Sequence, residues 1–279
     1  KASGFQLAEV TEIDGYATVN PCVIRDAFLS ADCMDEISET MGKRILEEAY
    51  MAGRQPSIET FLHAMSGKYS LHTHPIVVNA LACRKDGMEV LKELFPDALF
   101  VPYATPGIEL AKAYFKAYRN GSRDTGKEYD VVFLQNHGVL ISSDTADGIL
   151  EKTEAVLYKI EEFLGTNMAS YHALTNLWEL FEKKILWRVT DKNVLNVYSN
   201  KKEMWDHAFC PDCVVFLGKK PLVLHSDFLE EKRIFESVYG EPVMVVHKDN
   251  LYIVADSVKK ALEIQSVMSF SAQVMELND

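Results

Sequence analysis

The sequence predicts a mixed α/β protein, because short apolar runs typical of strands alternate along its 279 residues with amphipathic segments typical of helices. Residues 130–141 contain two apolar stretches around a polar Asn-His-Gly turn, which indicates two consecutive buried strands. Tyr69 to Thr73 predicts a shorter strand. Beyond the cap-rich residues 142–145, apolar positions recur at helical spacing from Ala146 to Leu164, which predicts a long helix.

The same patterns assign the rest of the chain. Helices are predicted within residues 35–52, 60–65, 77–83, 108–118, 174–189 and 258–275. Strands are predicted within residues 5–10, 16–25, 97–103, 214–217, 222–224, 242–246 and 251–254. The first module is expected to close near Asn167, which gives a domain over residues 1–167 and a C-terminal α/β extension over residues 168–279 packed against it.

The balance of charge limits the classes of partner. Forty-one acidic residues against 29 basic ones give a formal net charge of -12. Such a surface repels nucleic-acid phosphates and anionic membranes, so neither is an expected partner. An anionic small molecule would need a local positive site, such as a bound metal ion or a nest of backbone N–H groups.

Cysteine content and hydropathy indicate where in the cell the protein resides. Five cysteines form no regular framework, which favours a reducing environment and hence the cytoplasm. No apolar run approaches the roughly 20 residues that span a bilayer, and no charged leader opens the chain. The sequence starts at Lys1 rather than at a Met, in what reads as the middle of a domain, so an upstream element is expected.

Three histidines have the spacing of metal ligands. His72 and His74 are two residues apart at a predicted strand end, so both imidazoles can project from one face toward one ion. His137, in the polar turn, could complete a three-histidine set with a position left open for substrate. Taken alone, this short motif favours a surface pair and an ordinary turn histidine, and only its combination with the motifs around it favours a metal site.

A glutamate, a serine and a pair of cysteines are further candidates for a catalytic or structural role. Glu59, thirteen residues before His72, is a candidate general acid/base, although a carboxylate in the first turn of a helix is also stabilised by the helix dipole. Ser57 is a candidate N-cap for that helix. Cys210 and Cys213 have the spacing of a zinc or redox pair, but a lone pair of this kind favours structural cysteines.

The order and spacing of these motifs resemble the class II aldolase/adducin family over about the first 165 residues. The Pro-Ser-Ile-Glu-Thr run at residues 56–60 is most similar to the aldolase part of bacterial rhamnulose-1-phosphate aldolase/alcohol dehydrogenases. Residues 211–213 read Pro-Asp-Cys where those relatives have Pro-Asp-His. No Gly-x-Gly-x-x-Gly motif of a dehydrogenase half occurs in the chain.

The resemblance implies a site. His72, His74 and His137 match the zinc ligands of the family, one ion per chain, and Glu59 matches its catalytic acid/base. Ser3, Gly4 and Ser57 match phosphate-binding positions, whereas the family's Gly-Asn-x-Ser element would precede Ser3. The implied fold is a three-layer α/β/α domain with a largely antiparallel central sheet, and the implied assembly is a homotetramer or another homo-oligomer.

The implied reaction is zinc-dependent, reversible cleavage of a ketose 1-phosphate to dihydroxyacetone phosphate and an aldehyde through a metal-stabilised enediolate. L-Rhamnulose 1-phosphate is the expected substrate. The alternatives are a fuculose-phosphate aldolase, a dehydratase or decarboxylase of the same family, and a non-catalytic adducin-like interaction module. A scaffold has no need for Glu59 together with three histidines, which argues against the last alternative.

Overall fold

A computed structural model describes residues 1–29, 36–122, 129–181, 184–200, 211–248 and 250–277. The chain divides into two units, Lys1–Asn167 and Met168–Asp279. Within the described residues, no helix is long and apolar enough to cross a membrane.

The first unit is built on a four-stranded sheet with the strand order β3-β6-β5-β4. Its strands are β3 Tyr69–Thr73, β4 Leu99–Val101, β5 Val131–Leu134 and β6 Gly138–Ser143. β6 pairs antiparallel with both β3 and β5, and β4 pairs parallel with β5. A two-stranded sheet joins β1 Ala17–Val19 to β2 Tyr50–Gly53. The central sheet is therefore largely antiparallel, as predicted.

Helices cover both faces of this sheet. They are α1 Pro21–Leu29, α2 Glu39–Ala49, α3 Thr60–His63, α4 Ile76–Ala82, α5 Gly87–Leu94, α6 Ile108–Ser122 and α7 Ala146–Leu164. Val132, Leu134 and Leu140 pack in one apolar core with α1, α2, α3 and α6. The alternate residues of β6 face the other side, where α4 and α7 contact the strand. This arrangement confirms the predicted three layers.

The second unit repeats the scheme with the strand order β7-β10-β9-β8. Its strands are β7 Ile185–Arg188, β8 Leu222–Leu224, β9 Met244–His247 and β10 Asn250–Ala255. Its helices are α8 Ala169–Trp178, α9 Lys192–Asn200, α10 Pro211–Leu217, α11 Phe228–Tyr239 and α12 Val258–Leu277. Alternate residues of β9 and β10 enter two apolar clusters, one with α9, α10 and α12 and the other with α8 and α11.

Three strand predictions fall partly or wholly in helices, although the one within residues 16–25 includes β1 at Ala17–Val19. Residues 21–25 belong to α1, where Pro21 takes the first helical position and the Asn20 side chain accepts a hydrogen bond from the Cys22 N–H at 3.0 Å. Residues 214–217 belong to α10. Leu7–Glu9 form a 3-10 turn within the predicted strand at residues 5–10. In each case a proline or a capping residue starts a helical segment, although the short apolar run that follows is also typical of a strand.

Two helix predictions are too long. Residues 185–188, predicted as helix, form β7. This strand lies at the edge of the second sheet and pairs antiparallel with β10. The helix predicted within residues 35–52 ends at Ala49, and the next four residues form β2. Gly53 therefore lies at the end of that strand, with φ 86°.

Of the Cys-x-x-Cys pair, Cys210 lies outside the described residues. Cys213 is buried in α10, and its Sγ lies 3.3 Å from the Oγ of Ser271. This environment fits a structural cysteine.

Candidate metal centre

His72 and His74 reach the site from the end of an edge strand. His72 is the fourth residue of β3 and pairs with Leu140 of β6, so the sheet fixes its backbone. Only 4% of its side chain is exposed. His74 follows the end of the strand and is exposed. The two ring centroids are 4.9 Å apart, so both imidazoles project to the same side.

His137 lies in the three-residue connection between β5 and β6, which closes at the pair Leu134–Gly138. Asn136 precedes it with φ 55°, a left-handed conformation that Asn tolerates better than most residues. The His137 N–H donates to the carbonyl of Leu134 at 3.1 Å. The turn therefore fixes the imidazole, whose ring stacks on that of His72 with centroids 5.1 Å apart.

Glu59 enters from a different element. It is the N-cap residue of α3, with φ -69° and ψ -8°, and its backbone N–H donates to the Ser57 hydroxyl at 3.3 Å. Its Oε1 lies 3.7 Å from Nε2 of His72 and 3.9 Å from Nε2 of His137. The carboxylate therefore lies next to two of the imidazoles, and 31% of its side chain is exposed.

The three imidazoles and the carboxylate form one cluster. Each residue offers one ligand atom, and these atoms lie within 4.8 Å of one another. Nε2 of His72 is 3.1 Å from Nε2 of His74 and 3.2 Å from Nε2 of His137. Imidazoles bind zinc at about 2.0–2.1 Å in tetrahedral sites, which places two ligand nitrogens roughly 3.3 Å apart. The donor set and its spacing therefore fit a divalent metal ion.

The protonation of His72 suits this role. Its Nδ1 lies 3.0 Å from the carbonyl oxygen of Val139, which can only accept, so Nδ1 carries the proton and Nε2 keeps a free lone pair. Burial lowers the pKa of His72 to about 4 despite the opposing effects of that hydrogen bond and of Glu59. Burial and the neighbouring His74 also lower the pKa of His137. Neutral imidazoles are the form that binds metal.

A small cleft opens beside this cluster. Glu59 and His137 line it together with mostly apolar residues, among them Ile58, Pro106 and Leu110. The surface next to the reactive groups is thus largely apolar, which strengthens electrostatic interactions there.

The predicted phosphate-binding residues lie on two adjacent segments. Ala2 and Pro56 form an antiparallel bridge, and the Ser3 N–H donates to the carbonyl of Gln55 at 2.9 Å. Gly4 has φ 81°, a conformation that favours glycine. The structure thus brings the segment of Ser3 and Gly4 alongside the segment of Ser57. Their part in phosphate binding stays a prediction.

Three features of this site have little or no signal in the sequence. The Val139 carbonyl that orients His72 is a backbone group, so no residue type indicates it. Gly138 is needed because a Cβ there would lie 2.4 Å from the carbonyl oxygen of Thr73 and 2.7 Å from Cδ2 of His74. The Nδ1 of His63 lies 2.7 Å from the Ser70 hydroxyl, a contact that no sequence motif indicates.

A family comparison matches the part of the chain that holds these residues. Residues 8–163 match the model of the Class II Aldolase and Adducin N-terminal domain. The matched region covers more than half of the chain, and it includes Glu59 and all three histidines. The chain therefore belongs to the class II aldolase/adducin family, and its aldolase-type domain carries a Glu/His cluster that could bind a divalent metal.

Solved structures give partial similarities. The N-terminal class II aldolase domain of a conserved protein from Thermoplasma acidophilum is 22% identical, with a TM-score of 0.48 over 59% of this chain and 73% of that one. YgbL from Klebsiella pneumoniae, for which aldolase, epimerase or decarboxylase activity has been suggested, is 19% identical, with a TM-score of 0.34 over 43% and 62%.

An aldolase II superfamily protein from Pseudomonas syringae is 18% identical, with a TM-score of 0.33 over 42% of this chain and 49% of that one. The comparison with curated proteins finds no match.

Proposed function

We propose that this protein is a zinc-dependent aldolase that cleaves a ketose 1-phosphate reversibly to dihydroxyacetone phosphate and an aldehyde. The observation that carries the proposal is the position of Glu59, whose carboxylate lies 3.7 and 3.9 Å from two imidazole nitrogens of a three-histidine cluster. A carboxylate next to a metal site with an open position is suited to move a proton on a carbon beside a polarised carbonyl.

The three histidines would hold the ion. His72 supports this role best, since its proton is on Nδ1 and its Nε2 faces the other two imidazoles. Three imidazole nitrogens as ligands favour zinc or a similar first-row divalent ion over magnesium or calcium. When bound, the ion supplies Lewis-acid polarisation of the substrate carbonyl.

Glu59 would handle the proton on carbon. In the cleavage direction the C3–C4 bond of the ketose breaks, its electron pair stays on C3, and C4 becomes the aldehyde carbon as its hydroxyl loses a proton. The released hydroxyl proton reaches the Glu59 carboxylate through solvent, and Glu59 then delivers a proton to C3. The exchange conserves atoms and charge and needs no oxidant or reductant.

The phosphate would lie near Ser57, Ser3 and Gly4. The bridge between Ala2 and Pro56 keeps these two segments adjacent, and small hydroxyls and backbone N–H groups can approach a phosphate closely. A local site of this kind is needed because the net charge of -12 offers an anion no general attraction.

L-Rhamnulose 1-phosphate is the substrate that we favour, because residues 56–60 read Pro-Ser-Ile-Glu-Thr as in the relatives that act on it. We further propose a cytoplasmic homo-oligomer, with a tetramer as the expected state.

Metal analysis of the purified protein, followed by an assay for dihydroxyacetone phosphate released from a panel of ketose 1-phosphates, tests the proposal. Near-stoichiometric zinc and release from one sugar would support it and identify the substrate. Zinc without release from any sugar would contradict the aldolase assignment and direct attention to a dehydratase or decarboxylase. Absence of metal in a folded protein would favour a non-catalytic interaction module.

A further inference from the structure

The catalytic carboxylate of the proposed mechanism depends on a very short helix. Glu59 precedes α3, which contains only the four residues Thr60–His63. An isolated helix of this length is unstable in water, because nucleation costs more than so few hydrogen bonds return. The position of Glu59 relative to the histidines therefore depends on the tertiary contacts that α3 makes with the rest of the first unit.

Two kinds of contact hold α3 against the core. Phe61 and Leu62 are buried, and the ring of Phe61 lies 5.3 Å from that of Phe28 on α1. The guanidinium of Arg25 donates from Nε to the carbonyl of Ala64, at the end of the helix, at 2.6 Å. The ring contact and the hydrogen bond run to α1. The apolar core around Phe61 and Leu62 also includes residues of β5, β6 and α6, but none of β3, the strand that carries His72.

A separate contact connects α3 directly to the strand that carries His72. The Nδ1 of His63 lies 2.7 Å from the hydroxyl oxygen of Ser70. Ser70 is on β3, two residues before His72, so both side chains project from the same face of the strand. The hydrogen bond thus connects the last residue of the helix that follows Glu59 to the face of the strand that presents a ligand.

We infer that His63 is a positioning residue that acts through Ser70 to fix the Glu59 carboxylate relative to the imidazoles of His72 and His137. The inference rests on the proposed function, in which Glu59 moves a proton. Reacting groups must be positioned accurately, because a displacement of about 1 Å can lower the rate on the order of 100-fold. Loss of the link should therefore lower turnover and leave the three-histidine set intact.

The test uses two disruptive variants and their conservative counterparts. Ser70→Ala and His63→Leu remove the hydrogen bond. Ser70→Thr keeps the hydroxyl, and His63→Asn keeps a polar atom near the position of Nδ1. Thr145→Ala is the stability control, because it removes the side chain that caps α7 through the Gly148 N–H and is expected to lower stability without touching α3.

Two readouts separate positioning from general destabilisation. With the substrate found in the assay above, Ser70→Ala should lower kcat about tenfold or more and change KM less than twofold, and Ser70→Thr should restore most of kcat. With Co2+ as the only added ligand, the visible absorption of the bound ion should shift in Ser70→Ala in the same direction as in Glu59→Gln, while the stoichiometry stays that of the parent protein.

The cobalt measurement needs no substrate, so it also tests the inference if no ketose phosphate is cleaved and the proposed function is wrong. Equal kcat and equal cobalt spectra in Ser70→Ala and Thr145→Ala would overturn the inference. Failure of Ser70→Thr or His63→Asn to restore the parent cobalt spectrum would do so too. If His63→Leu does not fold, Ser70→Ala, which loses a single hydroxyl, decides the outcome.

Discussion

Gly138 and His74 approach so closely that a side chain at position 138 would collide with the imidazole. A Cβ there would lie 2.7 Å from Cδ2 of His74 and 2.4 Å from the carbonyl oxygen of Thr73. The glycine of the Asn-His-Gly turn thus makes room for one histidine of the cluster while its neighbour His137 supplies another.

Gly138→Ala is expected to weaken metal binding. Because the nearest atom is backbone, the turn must shift, and this should cost about 1–3 kcal/mol of stability and roughly 10- to 100-fold in metal affinity. Calorimetric titration with Zn2+ and thermal unfolding measure the two effects. Gly67→Ala is the matched control, because its added Cβ would meet nothing nearer than 3.7 Å. Equal affinities in the two variants would refute the steric role.

His72→Asn should abolish tight metal binding while preserving the fold. The Asn amide can still donate to the Val139 carbonyl, whereas the Nε2 that faces His74 and His137 is lost. We expect at least about a 100-fold loss of Zn2+ affinity, with the far-ultraviolet circular dichroism of the parent protein retained. Parent-like zinc content in the purified variant would show that His72 is not a ligand.

Glu59→Gln should separate metal binding from proton transfer. Glutamine has nearly the same shape but cannot act as a general acid or base, so turnover should fall about 10²- to 10⁴-fold with the zinc still bound. Steady-state kinetics and metal analysis of the same preparation measure both. Full activity in this variant would rule out Glu59 as the residue that moves the proton.

The metal-free protein should lose stability as the pH falls from 7 to 5. Burial lowers the pKa of His72 to about 4 from the ordinary value near 6.5, so below pH 6.5 the unfolded state binds more protons than the folded state. His72 is mostly buried and should by itself account for a loss of about 2 kcal/mol between pH 7 and pH 5. The lowered pKa values of His63 and His137 act in the same direction.

Urea unfolding of chelator-treated protein at a series of pH values measures this dependence. His72→Asn, which lacks the titrating ring, should show a flatter profile than the parent protein over the same interval. Stability that rises as the pH falls would contradict the sign of the shift.

The sequence predicted local structure best where one residue pattern dominates. Helix α7 was predicted with its observed ends, because Thr145 caps it and Gly165 ends it in a left-handed conformation. The hairpin of β9 and β10 was predicted from two apolar runs. Prediction failed at α10, where the run Val214 to Leu217 suggests a strand, yet Cys213 and Leu217 are buried four residues apart as on a helix face.

For the candidate site, the spacing of the motifs indicated which residues form the cluster, but not which contacts orient their side chains. Two histidines separated by one residue suggested convergence on one strand face, and the structure brings them together with Glu59 and His137. The contacts that orient them could not be predicted, because a backbone acceptor at Val139 and the clearance at Gly138 depend on strand register. The functional roles stay predictions.

The pairing of β3 with β6 has a consequence for how the protein acquires its metal. His72 hydrogen-bonds to a residue 67 positions later in the chain, and His137 lies 65 positions from it. In the unfolded chain only His72 and His74 are close together, so the complete three-histidine set forms only after a long loop closes. A bound ion would then favour the state in which the two strands are already joined, and metal uptake during refolding would report when the central sheet is assembled.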